Sequence, residues 1–245
     1  MRKRLFTLAL MLVTFTSNAQ TTLDGDMNHD GVLNITDVMI IIEKILGNTP
    51  KSYLTCPDNN HPHLIDLGLP SGTKWACCNV GSYMPAAFGD YFAWGETEKK
   101  SNYSFSTYQH RYVGEDGYWH MQDLGNNIAG TEYDVAHVKW GDHWQMPTQQ
   151  QMIELVQNST FEAVENGNKA IGPNGGYIIL PGSGWHRGSE LVDWGGNGRN
   201  SYYWSSTPDS SNDQRAYRLR IDYCNPDISS SDREVGYAVR PVWNP

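Results

Sequence analysis

The chain has 245 residues and a formal charge of −9, with 18% charged residues, nine tryptophans and fourteen tyrosines. Such an acidic balance excludes the electrostatic footprint of a nucleic-acid binder. The ring content leaves enough apolar mass for a sizeable core and many amphipathic rings for surfaces.

Arg2, Lys3 and Arg4 precede an apolar run from Leu5 to Phe15, and Ser17 and Ala19 follow as small residues. This is the pattern of a secretory signal peptide over residues 1–19, with cleavage near Ala19. Its removal makes the mature chain three units more negative. The run is too short for a permanent span, and no later segment offers the roughly 20 consecutive apolar residues a membrane helix needs. The expected location is therefore secreted, at the cell surface or in the periplasm.

Next comes "GDMNHDGVLNITD". Counting from Asp26 places Asp26, Asn28 and Asp30 at loop positions 1, 3 and 5, Gly31 at 6, Val32 at 7, Asn34 at 9 and Asp37 at 12. That register suits Ca2+, which takes six to eight hard oxygens: side chains of Asp26, Asn28, Asp30, Asn34 and Asp37, and the carbonyl of Val32. Position 12 carries aspartate instead of the usual glutamate, one methylene shorter. "VMIIIEKILG" then predicts an amphipathic helix from Val38 ending near Leu46, with Met39 and Ile40 as extra apolar surface. Asp24 to Gly47 resemble a single dockerin repeat, an EF-hand-like loop-helix unit that sets a domain over residues 20–48. The resemblance implies calcium binding and a cohesin-like protein as partner, although dockerins carry two such repeats and only one is present.

Residues 49–62 are rich in turn formers and read as a linker. Cys56, Cys77, Cys78 and Cys224 allow three complete pairings in an oxidising compartment, and sequence does not choose among them. No CxxC spacing occurs, which argues against zinc or redox chemistry. His61 and His63, in or beside the linker, read as surface or structural residues.

Over residues 63–245, short apolar stretches ("HLIDLGL", "GDYFAWG", "GYIILPG", "YYWSS", "RAYRLRID", "GYAVRPV") alternate with Gly, Asn, Pro and Ser clusters, the pattern of short strands and long loops. "TQQQMIELVQNS" predicts a helix capped by Thr148, with Met152, Leu155 and Val156 inward. A weaker helix is expected in "YDVAHVKWG", with Val135, Val138 and Lys139 on one side. The expected class is α+β with mostly antiparallel pairing.

The phrases "DLGLPSGTKWACCNVGS", "GDYFAWGET", "AGTEYDVAHVKWGDHWQMPT", "YYWSST" and "REVGYAVRPV" resemble the Fibrobacter succinogenes major paralogous domain, from about His63 to Val242. Members are typically secreted proteins of gut and rumen bacteria without established catalysis. The resemblance implies a C-type-lectin-like fold, a compact body holding irregular loops on one side. The loop "GSGWHRGSELVDWGGNGRNS" then offers Trp185, His186, Asp193, Trp194, Asn197 and Arg199 as ligand-binding candidates, because sugar CH faces stack on rings while hydroxyls need directed partners. The bland reading of Trp185 and Trp194 is core filling.

Enzyme signatures fail. Ser183 in "LPGSGW" lacks the first glycine of GxSxG, no HExxH occurs, and "GGNGRN" has no following helix or lysine. Asp90, Glu96, Asp134 and Glu154 are the carboxylates that only a fold could bring together. The expected function is non-catalytic binding or adhesion toward a polysaccharide, glycan or surface protein. The alternatives are an assembly component whose dockerin-like helix docks on a cohesin-like partner and, less favoured, a polysaccharide-active enzyme.

Overall fold

The computed structural model describes Ile35, Val38 and residues 52–141, 143–192 and 200–244. The chain divides into two compact units, Met1–Gly47 and Asn48–Pro245. In the first, Ile35 and Val38 are helical and exposed; Asp26, Asn28, Asp30, Val32, Asn34 and Asp37 lie outside the described residues, as do Asp193, Trp194, Asn197 and Arg199 of the second unit.

The second unit is β-rich. A five-stranded sheet takes the order β1 (Ser52–Tyr53), β2 (Leu64–Asp66), β3 (Lys74–Ala76), β15 (Val242–Trp243), β6 (Trp144–Gln145). β1 runs parallel to β2, and the other neighbours are antiparallel. The stretch read as a linker thus carries a strand of this sheet. β15 sits between β3 and β6, so both ends of the unit meet in one layer.

Two three-stranded meanders complete the core: β7 (Thr160–Val164), β8 (Gly167–Ile171) and β9 (Tyr177–Pro181), then β12 (Ser201–Pro208), β13 (Arg215–Asp222) and β14 (Asn225–Asp232). In β13, Leu219 and Ile221 are buried on one face and Ala216 on the other, in separate core clusters, while the arginines between them are partly buried. Two hairpins, β4 (Arg111–Val113) with β5 (Trp119–Met121) and β10 (Trp185–Arg187) with β11 (Glu190–Val192), stand apart from these sheets.

Among the described residues of this unit there are two short α-helices. α2 (Gln149–Asn158) begins at Thr148, whose hydroxyl accepts from the Gln151 N–H, while the Gln151 side chain reaches back to the Thr148 N–H. Met152 and Leu155 are buried and Val156 partly so, as the pattern predicted. α1 (Val135–Trp140) forms where the weaker pattern placed it, but Val135 and Ala136 are its buried residues and Val138 is exposed. The helix is pinned by Asp134 at its N-terminus, which turns the first residues inward. The Asp134 carboxylate, itself buried, accepts from the main-chain N–H groups of Gly130, Ala136, His137 and Met146 at 2.8–3.2 Å.

The interior is held by polar links as well as burial. Trp94 Nε1 donates to the Ser205 carbonyl and Trp204 Nε1 to the Phe92 carbonyl, each at 2.9 Å. Two fully buried indoles thereby satisfy their N–H groups and stitch residues 92–94 to β12.

Candidate functional site

"GDYFAWG" does not form a named strand: Phe92 makes an isolated bridge to Tyr237, and Trp94 N–H donates to the Arg233 carbonyl. The following segment turns outward through a 3-10 turn, Phe105–Thr107, capped by Ser104. Tyr103 bridges Gly188 at the tip of the β10–β11 hairpin through reciprocal 2.7 Å main-chain hydrogen bonds. Between these two segments opens a groove of about 490 Å³, lined among others by Asn102, Tyr103, Phe105, Arg187, Glu190 and Glu234.

The groove continues into a surface of rings. The Phe105 ring lies 6.0 Å from that of Trp119, edge to face, and the Arg111 guanidinium sits 3.9 Å above Trp119 and 5.1 Å from Phe105. On the same hairpin Tyr112 stacks on His120 at 5.6 Å. Tyr112, Tyr118 and Trp119 are 52%, 72% and 50% exposed, a concentration of half-open rings on one two-stranded element. Trp119, held by the Arg111 guanidinium and the Phe105 ring yet half-exposed, is pre-oriented, so a flat ligand meets it with little side-chain ordering cost.

Electrostatics in the groove are mixed. Burial raises the Glu234 carboxyl above its ordinary value, against the opposing pull of Arg187 and Lys100. The Lys100 ammonium is held by Glu96 at 2.7 Å and lies 5.6 Å from the Tyr103 ring. Directed donors and acceptors thus flank apolar faces without a single-sign field.

The two described members of the expected ligand set lie beside this groove and are engaged in packing. Trp185 packs against the core beside Tyr202 and Tyr237, at 6.3 and 5.9 Å between ring centroids. His186 is wedged between the rings of Tyr91 and Tyr103 at 4.6 and 5.3 Å, its main chain paired with Gly236, and burial holds its ring below the ordinary imidazole value. Their neighbour Arg187 is the residue of β10 that lines the groove. Sequence reading passed over Arg111, Tyr112 and Trp119. The usable signal was "RYVGEDGYWH", two ring-bearing runs around a Gly-Glu-Asp-Gly turn.

The carboxylates tested for pairing are engaged separately: Asp90 with Lys99, Glu96 with Lys100, Glu154 with Ser71 and Asp134 with the cap of α1. Ser183 is buried, its carbonyl accepting from the Tyr91 hydroxyl.

A second constellation lies in the β1–β2 connection. Cys56, His61, His63 and Cys77 each direct one donor atom into a common point, all four atoms within 4.8 Å of one another. All four cysteines of the chain are free thiols. Without a CxxC pair in the chain, the fold supplies the fourth partner, Cys77, from just after β3.

No protein-family model matches the chain, and neither a curated protein nor a solved structure shows significant similarity to it.

Proposed function

We propose that the chain is an exported, non-catalytic binding or adhesion protein whose larger unit recognises carbohydrate through the 111–121 hairpin and the adjoining groove. The observation that carries this reading is the continuity of the Phe105–Trp119 ring pair with the polar groove at Arg187, Glu190 and Glu234. Stacking faces beside paired donors and acceptors are what a pyranose offers to and demands from a protein. The dockerin-like and lectin-like resemblances belong to the same reading: a calcium-held loop of Asp26, Asn28, Asp30, Val32, Asn34 and Asp37 in the first unit, and a loop-bearing body in the second.

The test is retention of the mature chain on a glycan array and on insoluble polysaccharides, with Trp119→Ala and Tyr112→Ala beside it. The reading expects binding that falls about tenfold or more in Trp119→Ala. Silence of the wild type on every sugar, or retention indifferent to both substitutions, overturns it, and release of soluble sugar by the purified chain replaces it with an enzyme.

The second reading is an assembly component docking on a cohesin-like partner. It is favoured by one feature, the exposure of the helical apolar residues Ile35 and Val38, at 71% and 46%. Asp26→Ala with Asp30→Ala in the full chain separates the two: sugar retention survives under the first reading, while capture of a cohesin module is lost under the second.

A further inference from the structure

We infer that Cys56, His61, His63 and Cys77 form a structural zinc site that fastens the 54–63 segment to the end of β3. The inference starts from distances. Cys56 Sγ lies 3.4 Å from His61 Nδ1 and 3.4 Å from His63 Nδ1; Cys77 Sγ lies 3.2 Å from His61 Nδ1 and 3.7 Å from His63 Nδ1. A tetrahedral zinc with bonds of about 2.3 Å to sulfur and about 2.0 Å to nitrogen separates its N and S ligands by roughly 3.6 Å. The four observed separations bracket that edge, so an ion at their centre meets all four at bonding distance with small adjustments.

The donor set fixes the class of metal. Two thiolates and two imidazoles are soft and borderline ligands, suited to zinc and not to the calcium expected at residues 26–37. Four protein ligands close the coordination sphere and leave no position for substrate, which makes the site structural and not catalytic. His63 and Cys77 are buried and Cys56 and His61 half-buried, a degree of enclosure that suits such a role.

The surroundings are arranged as a metal site requires. Asp58 Oδ1 takes a hydrogen bond from His63 Nε2 at 3.1 Å, which fixes the proton on Nε2 and turns the Nδ1 lone pair toward the two sulfurs. The His63 main-chain N–H donates to Cys77 Sγ at 3.1 Å, while the Cys77 N–H donates back to the His63 carbonyl at 3.1 Å. The first of these bonds stabilises a thiolate at Cys77, and the pair together sets its position relative to His63. Zinc binds thiolates, so its entry displaces one proton from each thiol: Zn2+ plus two thiols and two neutral imidazoles gives the dithiolate–diimidazole complex and two protons.

The site has a mechanical meaning. Cys56, His61 and His63 come from one short connection with little apolar surface, and Cys77 begins the segment after β3. Linking them adds metal bonds that fasten this connection to the core cluster at Cys77.

The experiment uses the full mature chain, purified with reductant, stripped with a chelator and reloaded with zinc or cobalt. Elemental analysis is expected to give one zinc per chain that calcium does not displace, and cobalt to give the intense visible absorption of a tetrahedral site with sulfur ligands. Cys56→Ser with Cys77→Ser is expected to lose both signals, and Asp58→Ala, which leaves all four ligands, to weaken zinc affinity about 10–100-fold. Absence of zinc uptake by the reduced wild type, a weak octahedral cobalt spectrum, or unchanged stoichiometry in the double variant overturns the inference. So does a chain whose mass shows a Cys56–Cys77 disulfide that persists when zinc is offered with reductant. None of these outcomes depends on whether the chain binds sugar.

Discussion

Arg240 donates its Nε–H to Asn79 Oδ1 at 2.8 Å, deep in the body, where both residues are wholly buried. The remaining guanidinium donors meet the carbonyls of Ala76 and Cys77 at 3.2 Å and of Ile179 at 2.7 Å. One planar fork thereby ties the end of β3 to the middle of β9, and its charge is dissolved by main-chain dipoles.

Removing the fork strands its acceptors. Arg240→Met is expected to destabilise by about 3–5 kcal/mol, because three carbonyls and an amide oxygen lose their donors at once. Arg240→Lys should recover only part, since a point ammonium does not span the same four acceptors. Urea midpoints of the three proteins check this.

At α1 the cap is the element most exposed to substitution. Asp134→Ala leaves four main-chain N–H groups without this acceptor, those of Ala136 and Met146 buried, and should cost about 3 kcal/mol, above an ordinary cap loss of about 1 kcal/mol. Asp134→Asn, with one oxygen kept, should fall between. Thermal unfolding of the two variants decides the order.

Trp119 is half-exposed, so Trp119→Ala is expected to change stability by less than about 1 kcal/mol while abolishing most retention on the bound polysaccharide. A large loss of stability together with binding would assign the ring to packing. Calorimetry beside affinity electrophoresis separates the two.

Glu234 supplies a pH signature. Its carboxyl is raised by burial, so the folded state favours the neutral form. The contribution to stability is complete below the unfolded value near pH 4.3 and is lost as pH rises through the higher folded value. Glu234→Gln is therefore expected to melt higher than wild type at neutral pH and at the same temperature below about pH 3. Melting curves across that range check the sign.

What the sequence disclosed follows from local rules. Thr148 and Gln151 make the start of α2 readable because the capping box is written within four residues. "YIILP" and "RAYRLRID" read as strands because they are short apolar stretches bounded by turn formers. β14, "NPDISSSD", escaped because a polar edge strand has no such pattern; it forms because β13 offers it a full ladder from Arg215 to Asp222. The inward face of α1 is not legible in its periodicity, since Asp134, bonded to Ala136 and His137 in the first turn and to Gly130 and Met146 outside the helix, decides which side turns inward.

The candidate sites are less legible for the same reason. Rings in "RYVGEDGYWH" look like any hairpin, and only the fold brings Phe105 against Trp119. Cys56, His61 and His63 lie within eight residues, but their fourth companion stands beyond β2 and β3. Coordination by such a set depends on a strand returning to its starting point, which no spacing rule along the chain encodes.

The pairing of β15 with β3 carries a consequence for how the body is made. Val242 lies opposite Trp75, so the central layer stays an open frame until the far end of the unit arrives. Contacts of such long range are formed late and together, which makes folding slow and cooperative. Until that last strand seats, the edge of β3 is an unpaired template on which a neighbouring chain could grow, so dependence on chaperones during synthesis would be the physiological trace of a sheet closed from both ends.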